Sequence, residues 1–170
     1  MNHTLTFKPR PSLGWLWLLG LSLLILAFTA GAALPFWGHS LPWVTLLIIV
    51  INSLLAGYFL LLAFWFPTMR YELEAEALTL YYGPVLRYRI PLKGINGLRR
   101  RNLGWSIWSS LRLPGLALFT VNYSDVGNVK MCATAAITQI LLIETDKGLY
   151  GLTPADEEAF VAAVKERLEV

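Results

Sequence analysis

The sequence predicts an α+β membrane protein: a two-helix transmembrane hairpin, then a cytoplasmic antiparallel β-barrel or sandwich closed by a C-terminal helix. Three observations carry that prediction. Residues 12–34 (SLGWLWLLGLSLLILAFTAGAAL) and 43–66 (WVTLLIIVINSLLAGYFLLLAFWF) hold no charged residue. After Pro67 the chain breaks into short segments of strand character separated by turn residues, and its last stretch carries the start signals of a helix.

The two apolar runs each exceed the ~18 to 20 residues that a helix needs to cross the hydrocarbon core. Composition agrees, with 56% of the 170 residues hydrophobic, 15% charged and a mean hydropathy of +0.55. Buried helices of a soluble domain are a poor alternative, because the rest of the chain is too small to wrap two fully apolar cylinders. A cleaved signal peptide is the stronger rival: Lys8 and Arg10 precede the first run, and Ala30-Gly31-Ala32 resembles a small-residue cleavage site. The first run is longer than a usual signal core.

Lys8, Arg10 and Arg70 flank the hairpin, whereas residues 35–42 contain no Lys or Arg. The positive-inside rule therefore puts both termini in the cytoplasm of a bacterial inner membrane. Trp15, Trp17 and Trp65 fall toward that interface, and Phe36, Trp37 and Trp43 toward the other. Ser22, Thr45, Asn52 and Ser53 interrupt the apolar runs, and none is ionisable, so the hairpin alone does not read as an ion or proton path. Asn52, Ser53 and Gly57 suit close packing against further helices, from a partner membrane protein or a second copy.

Residues 1–11 read as a cytoplasmic tail, and residues 70–170 as the folded domain. Strand candidates are residues 71–76, 78–82, 85–90, 95–101, 116–122, 129–134, 137–144 and 149–152, with turns at Gly83-Pro84, Lys93-Gly94, residues 125–128 and residues 146–148. All are expected to pair antiparallel. Thr153-Pro154-Ala155-Asp156-Glu157-Glu158 supplies an N-cap candidate in Thr153, a proline at the first helical position and acids in the first turn. Phe160, Val164 and Leu168 then give the helix one apolar face.

LTLYYGPVLRYRIPLKGINGLRR, ILLIETDKGLYGLTP and the helix ADEEAFVAAVKERL, spread over residues 70–168, resemble the membrane-anchored bacterial pleckstrin-homology-like (PH-like) proteins. That resemblance implies a curved seven-stranded sheet capped by one helix, and a regulatory or scaffolding role rather than chemistry. Some eukaryotic relatives of the fold hold phosphoinositides with basic residues on their first strands, and Arg87-x-Arg89 partly matches. Glu72, Glu74 and Glu76 occupy the first strand here, so no headgroup site is carried over.

No catalytic constellation is legible. His3 and His39 fall on opposite sides of the membrane, and Cys132 is the only cysteine, which excludes an intrachain disulfide and a thiolate zinc site. Walker A, Rossmann, HExxH and GxSxG patterns are absent. The expectation is a protein that is not an enzyme and uses no cofactor.

One segment demands a neighbour. GLRRRNLGWSIWSSLRLPG, residues 97–115, sets Arg99, Arg100, Arg101 and Arg112 beside Trp105, Ile107 and Trp108, and residues 87–130 carry eight basic side chains against one acid, Asp125. Anionic lipid satisfies both halves, because cations are drawn to the headgroups and indoles settle there. Docking on a membrane-protein partner uses the same residue types. Burial of the tryptophans in the barrel is the third reading; nucleic acid ranks last for a domain tethered to a bilayer. The expected role is a non-catalytic scaffold or regulator of a membrane protein. The alternatives are an accessory subunit of a larger integral complex, or a transporter or enzyme component that needs another chain.

Overall fold

A computed structural model describes residues 4–36, 38, 40, 42–106 and 109–168. His3, Trp37, His39, Ile107 and Trp108 lie outside the described residues. The chain divides into two compact units, Trp15–Phe66 and a second made of Met1–Gly14 with Pro67–Val170.

The first unit is a pair of helices, α1 (Gly14–Ala33) and α2 (Trp43–Trp65), each followed by a short 3-10 turn. Both are long and apolar enough to cross a membrane. Their large side chains face outward: Leu54 is 70% and Phe64 76% exposed, which a core helix of a soluble domain would not allow. Leu18 and Ser22 of α1 and Ala56 and Leu62 of α2 are buried. The Ser22 hydroxyl donates to the Ala56 carbonyl at 3.0 Å, so one of the polar interruptions is spent inside the hairpin.

The second unit does not begin after the hairpin. Residues 5–7, expected as part of a tail, form strand β1 (Leu5–Phe7), which pairs antiparallel with β2 (Arg70–Leu73) through Leu5↔Leu73 and Phe7↔Tyr71. Beyond it the chain reaches the far side of the domain: Arg10 N–H donates to Thr153 O at 2.7 Å, and Ala155 N–H to Lys8 O at 2.9 Å. A short strand before the first helix carries too few residues for its alternation to be seen.

β1 and β2 continue into β3 (Ala77–Tyr82) and β4 (Leu86–Pro91), giving a four-stranded sheet in the order β1-β2-β3-β4. The other strands are β5 (Ile95–Arg101), β6 (Ser109–Leu113), β7 (Leu116–Tyr123), β8 (Gly127–Ala133), β9 (Ile140–Thr145) and β10 (Gly148–Leu152). They form a six-stranded sheet ordered β5-β9-β10-β8-β7-β6. Two departures from expectation follow. The ten strands of the described residues make two separate sheets rather than one seven-stranded sheet or a closed barrel. β10 runs parallel to β8, because residues 134–139 carry the chain past one strand position before the β9–β10 hairpin returns.

The sheets are tied through β2. Tyr71 is fully buried; its phenol donates to Cys132 O at 2.8 Å and accepts from Thr153 N–H at 3.3 Å. Above it lies α3 (Glu157–Leu168), whose Phe160 meets Tyr71 and Phe7 edge-on, with centroids 6.3 and 5.1 Å apart. The helix begins later than the sequence suggested. Asp156 caps it, accepting from Ala159 N–H at 2.9 Å, while Thr153 is buried and bonded to Thr134. Phe160 and Val164 are buried, but Leu168 is 39% exposed.

Both passages of the chain between helices and domain are fixed on β-turns of the domain. At the entrance, Ser12 Oγ–H donates to Gly115 O at 2.6 Å in the β6–β7 turn. Gly115 sits there at φ 80°, and any Cβ on Gly14 would collide with its backbone, so two glycines permit the approach. At the exit, Gly83 N–H in the β3–β4 turn donates to Thr68 Oγ1 at 2.8 Å.

Candidate functional site

The arginine run is the outer half of β5, an edge strand paired with β9. Alternation along a strand sends Arg99 and Arg101 to one face and Arg100 to the other. Each meets an acid from elsewhere in the chain: Arg99 Nε lies 3.4 Å from Glu144, Arg101 Nε 3.7 Å from Asp125, and Arg100 Nε 3.7 Å from Glu157. Glu157 is shared with Arg10, at 3.8 Å. All three side chains of the run are at least half exposed, so each pair adds at most about 1 kcal/mol to stability. Their main effect is to cancel the local positive field that the linear sequence implied.

Residues 102–106 then cross to the opposite edge of the sheet, where β6 lies. Leu103, 3% exposed, drops into a core with Val121, Val129, Met131, Ile140 and Leu142, on the sheet face opposite that of Tyr71. The crossing is held by Leu103 N–H to Ile137 O at 2.8 Å and Gly104 N–H to Asp125 Oδ1 at 2.7 Å. The central strands are thus covered on both faces. Unbroken runs such as Ile140-Leu141-Leu142-Ile143 carried that signal, since a half-solvated strand would alternate.

Trp105 is 62% exposed, which opposes the reading of it as a core filler. Its ring faces Arg112, whose guanidinium carbon lies 5.2 Å from the Trp105 ring centroid and 5.8 Å from that of Tyr123. Arg112 also donates from Nη2 to Ser106 O, and its Nη1 is buried without a hydrogen bond among the described residues. Arg112 is therefore a staple of the crossing, held between two aromatic faces. Burial pushes the Tyr123 phenol up to about 12, against the pull of the Arg112 charge, and its hydroxyl donates to Ala136 O at 2.6 Å. Of the residues singled out by sequence, Trp105 and Arg112 come together, while the arginine run is divided between two faces of the other edge.

In the hairpin, Asn52 is half-buried, on the same stripe of α2 as the buried Ala56, while Ser53 is exposed. Gly57 has no neighbouring atom within 4 Å of where a Cβ would stand. It lines an apolar groove with Trp15, Leu19, Leu60, Leu61 and Phe64.

Cys132 is fully buried and burial raises its thiol, so it stays protonated at neutral pH. Among the described residues no group of three His, Cys, Asp or Glu side chains gathers as a metal site would require.

Two apolar helices, then a four-stranded and a six-stranded sheet and a C-terminal helix, are consistent with an α+β PH-like fold. The family model described as bacterial PH domain matches residues 69–168, and the chain belongs to that family. No curated protein and no solved structure matches it.

Proposed function

We propose that this protein is a non-catalytic, membrane-anchored PH-like module of the bacterial inner membrane that lies against the lipid surface and scaffolds or regulates a partner membrane protein. One observation carries the reading: residues before α1 and residues after α2 belong to one folded unit, woven together by β1–β2 pairing and the Lys8–Ala155 and Arg10–Thr153 bonds. Helices that cross a bilayer from such a unit leave and return on one side, and Lys8, Arg10 and Arg70 favour the cytoplasmic side. Within that unit, Ser12 bonds to Gly115 and Thr68 to Gly83, so the segments on either side of the helices are ordered parts of the domain. Exposed Trp105 stacked on Arg112 supplies an anchor suited to headgroups or to a partner.

A second reading, an accessory subunit of a larger integral complex, is favoured by the apolar groove beside Gly57, which would seat another helix. Cysteine labelling with an impermeant reagent in spheroplasts tests the topology, and the buried Cys132 adds little background. A cysteine at Ser40 is expected to react and one at Asn128 to stay protected; the reverse pattern removes the reading. Mild detergent extraction then asks for a stoichiometric partner. Its loss in Trp105→Ala assigns docking to the domain, and its loss in Gly57→Leu assigns it to the hairpin.

A further inference from the structure

Asn52 carries the only carboxamide of the two apolar helices, and we propose that it joins two copies of this chain through a reciprocal amide pair between their α2 helices. The proposal rests on the reading that α1 and α2 cross the membrane, and it names a second copy as the occupant of one flank of the hairpin.

α2 covers Trp43–Trp65, so Asn52 stands two residues, about 3 Å along the axis, from the helix midpoint at Leu54. At that depth of a bilayer no water is present to serve the amide, and an amide without a partner in hydrocarbon is strongly unfavourable. The hairpin does not supply the partner. Asn52 makes no hydrogen bond among the described residues, whereas Ser22 and Thr29 of α1 donate to the carbonyls of Ala56 and Ile25, at 3.0 and 2.7 Å.

The residues one turn away put Asn52 at a border of the helix surface. Ile49 and Ala56, at i−3 and i+4, are half-buried and buried, on the side where Ala56 O accepts from Ser22. Ile48 and Leu55, at i−4 and i+3, are 45% and 42% exposed. The open flank of Asn52 is therefore that of Ile48 and Leu55. Gly57 and its groove lie in the opposite sense, about 140° round the helix from Asn52. Along the open flank Ile48, Ile51, Leu55 and Tyr58 are all exposed and recur at spacings of three and four, the period of a left-handed helix pair.

A second copy suits this flank better than an unrelated helix. A carboxamide donates through Nδ2 and accepts through Oδ1, so two of them satisfy each other. Two copies inserted in the same orientation hold Asn52 at the same depth on parallel helices. A two-fold axis along the membrane normal then brings the amides together, residue against the same residue. Any other protein would need both a donor and an acceptor at that depth. α2 has no charged residue, so nothing on the flank selects an ionic partner.

The test is sedimentation equilibrium of the full chain in density-matched neutral detergent. The wild type is expected to dimerise. Asn52→Leu should weaken the dimer about tenfold, the equivalent of ~1.4 kcal/mol, with the melting temperature unchanged because no bond within the chain is lost. Asn52→Gln, which restores a carboxamide, should stay within about threefold of wild type, and Gly57→Leu should leave dimerisation intact. Oxidation in membranes should join copies through Ile48→Cys or Leu55→Cys and not through Gly57→Cys. Wild-type association in Asn52→Leu overturns the amide pair, as does cross-linking through Gly57→Cys alone. Loss of a different membrane protein from Asn52→Leu, with self-association unchanged, overturns the second copy as occupant. A monomeric wild type removes the pair as well, and the cysteine labelling judges the topology independently, so the membrane reading can stand when the pair falls.

Discussion

Phe7→Ala probes the most consequential feature of the fold, the docking of a strand that precedes the hairpin onto a domain that follows it. The Phe7 ring meets the fully buried Phe160 edge-on, at 5.1 Å and 83°. A fully buried Phe→Ala change costs about 3 to 5 kcal/mol. Phe7 is only half-buried, so about half of that, ~2 kcal/mol, is expected, including the aromatic pair contribution of ~0.5 to 1.5 kcal/mol. For a domain of this size each kcal/mol shifts the midpoint by about 4 to 8 °C, so the melting temperature should fall by roughly 8 to 16 °C. Thermal unfolding of the full-length protein in detergent, followed by tryptophan fluorescence, reads the change. Thr6→Ala, on the exposed side of the same strand, should stay within about 0.5 kcal/mol of wild type. If Phe7→Ala melts with the wild type, residues 5–12 are not docked on the domain and the same-side argument loses its basis.

Tyr71→Phe keeps the ring and removes only the oxygen that joins Cys132 O to Thr153 N–H; leaving a buried N–H without an acceptor should cost about 1 to 3 kcal/mol in chemical denaturation, and a loss near zero would mean that the phenol does not tie the sheets. Alkaline pH should loosen the domain. Tyr88 and Tyr123 are pushed up to about 12 by burial, and Tyr71 and the Cys132 thiol are raised as well, so the folded state prefers their neutral forms. That stability is fully present below about pH 9 and is lost as pH rises through about 10 to 12, because the unfolded chain ionises first; a denaturation midpoint that stays level from pH 8 to 11 would contradict it. Trp105→Ala should lower stability by only about 0.5 to 1 kcal/mol, the size of an exposed cation–π contact, whereas a drop of 3 kcal/mol or more would return Trp105 to the core.

What was legible without coordinates follows from interactions between near neighbours in the chain. Length and apolarity alone define the two helices, and the observed α1 and α2 start and stop within two residues of the apolar runs. Alternation and turn residues locate most strands of the domain, and the order of motifs is enough to reach the bacterial PH domain family. β1 and β6 were not legible. Three residues, Leu5–Phe7, are too few to show a period, and β6 lies in a Trp-rich segment whose composition drew attention to a ligand and away from the backbone.

The candidate site shows the division most sharply. Adjacent arginines look like one basic patch in a linear sequence, but a strand turns alternate side chains to opposite faces, and tertiary folding brings Glu144, Glu157 and Asp125 from 24 to 57 positions away to meet them. The sequence by itself determined composition-driven properties: two apolar helices, strand-rich texture and a basic middle. Only the tertiary structure decided which charges are cancelled and that the segment before the first helix completes the domain, because each of these depends on contacts between residues far apart in the chain.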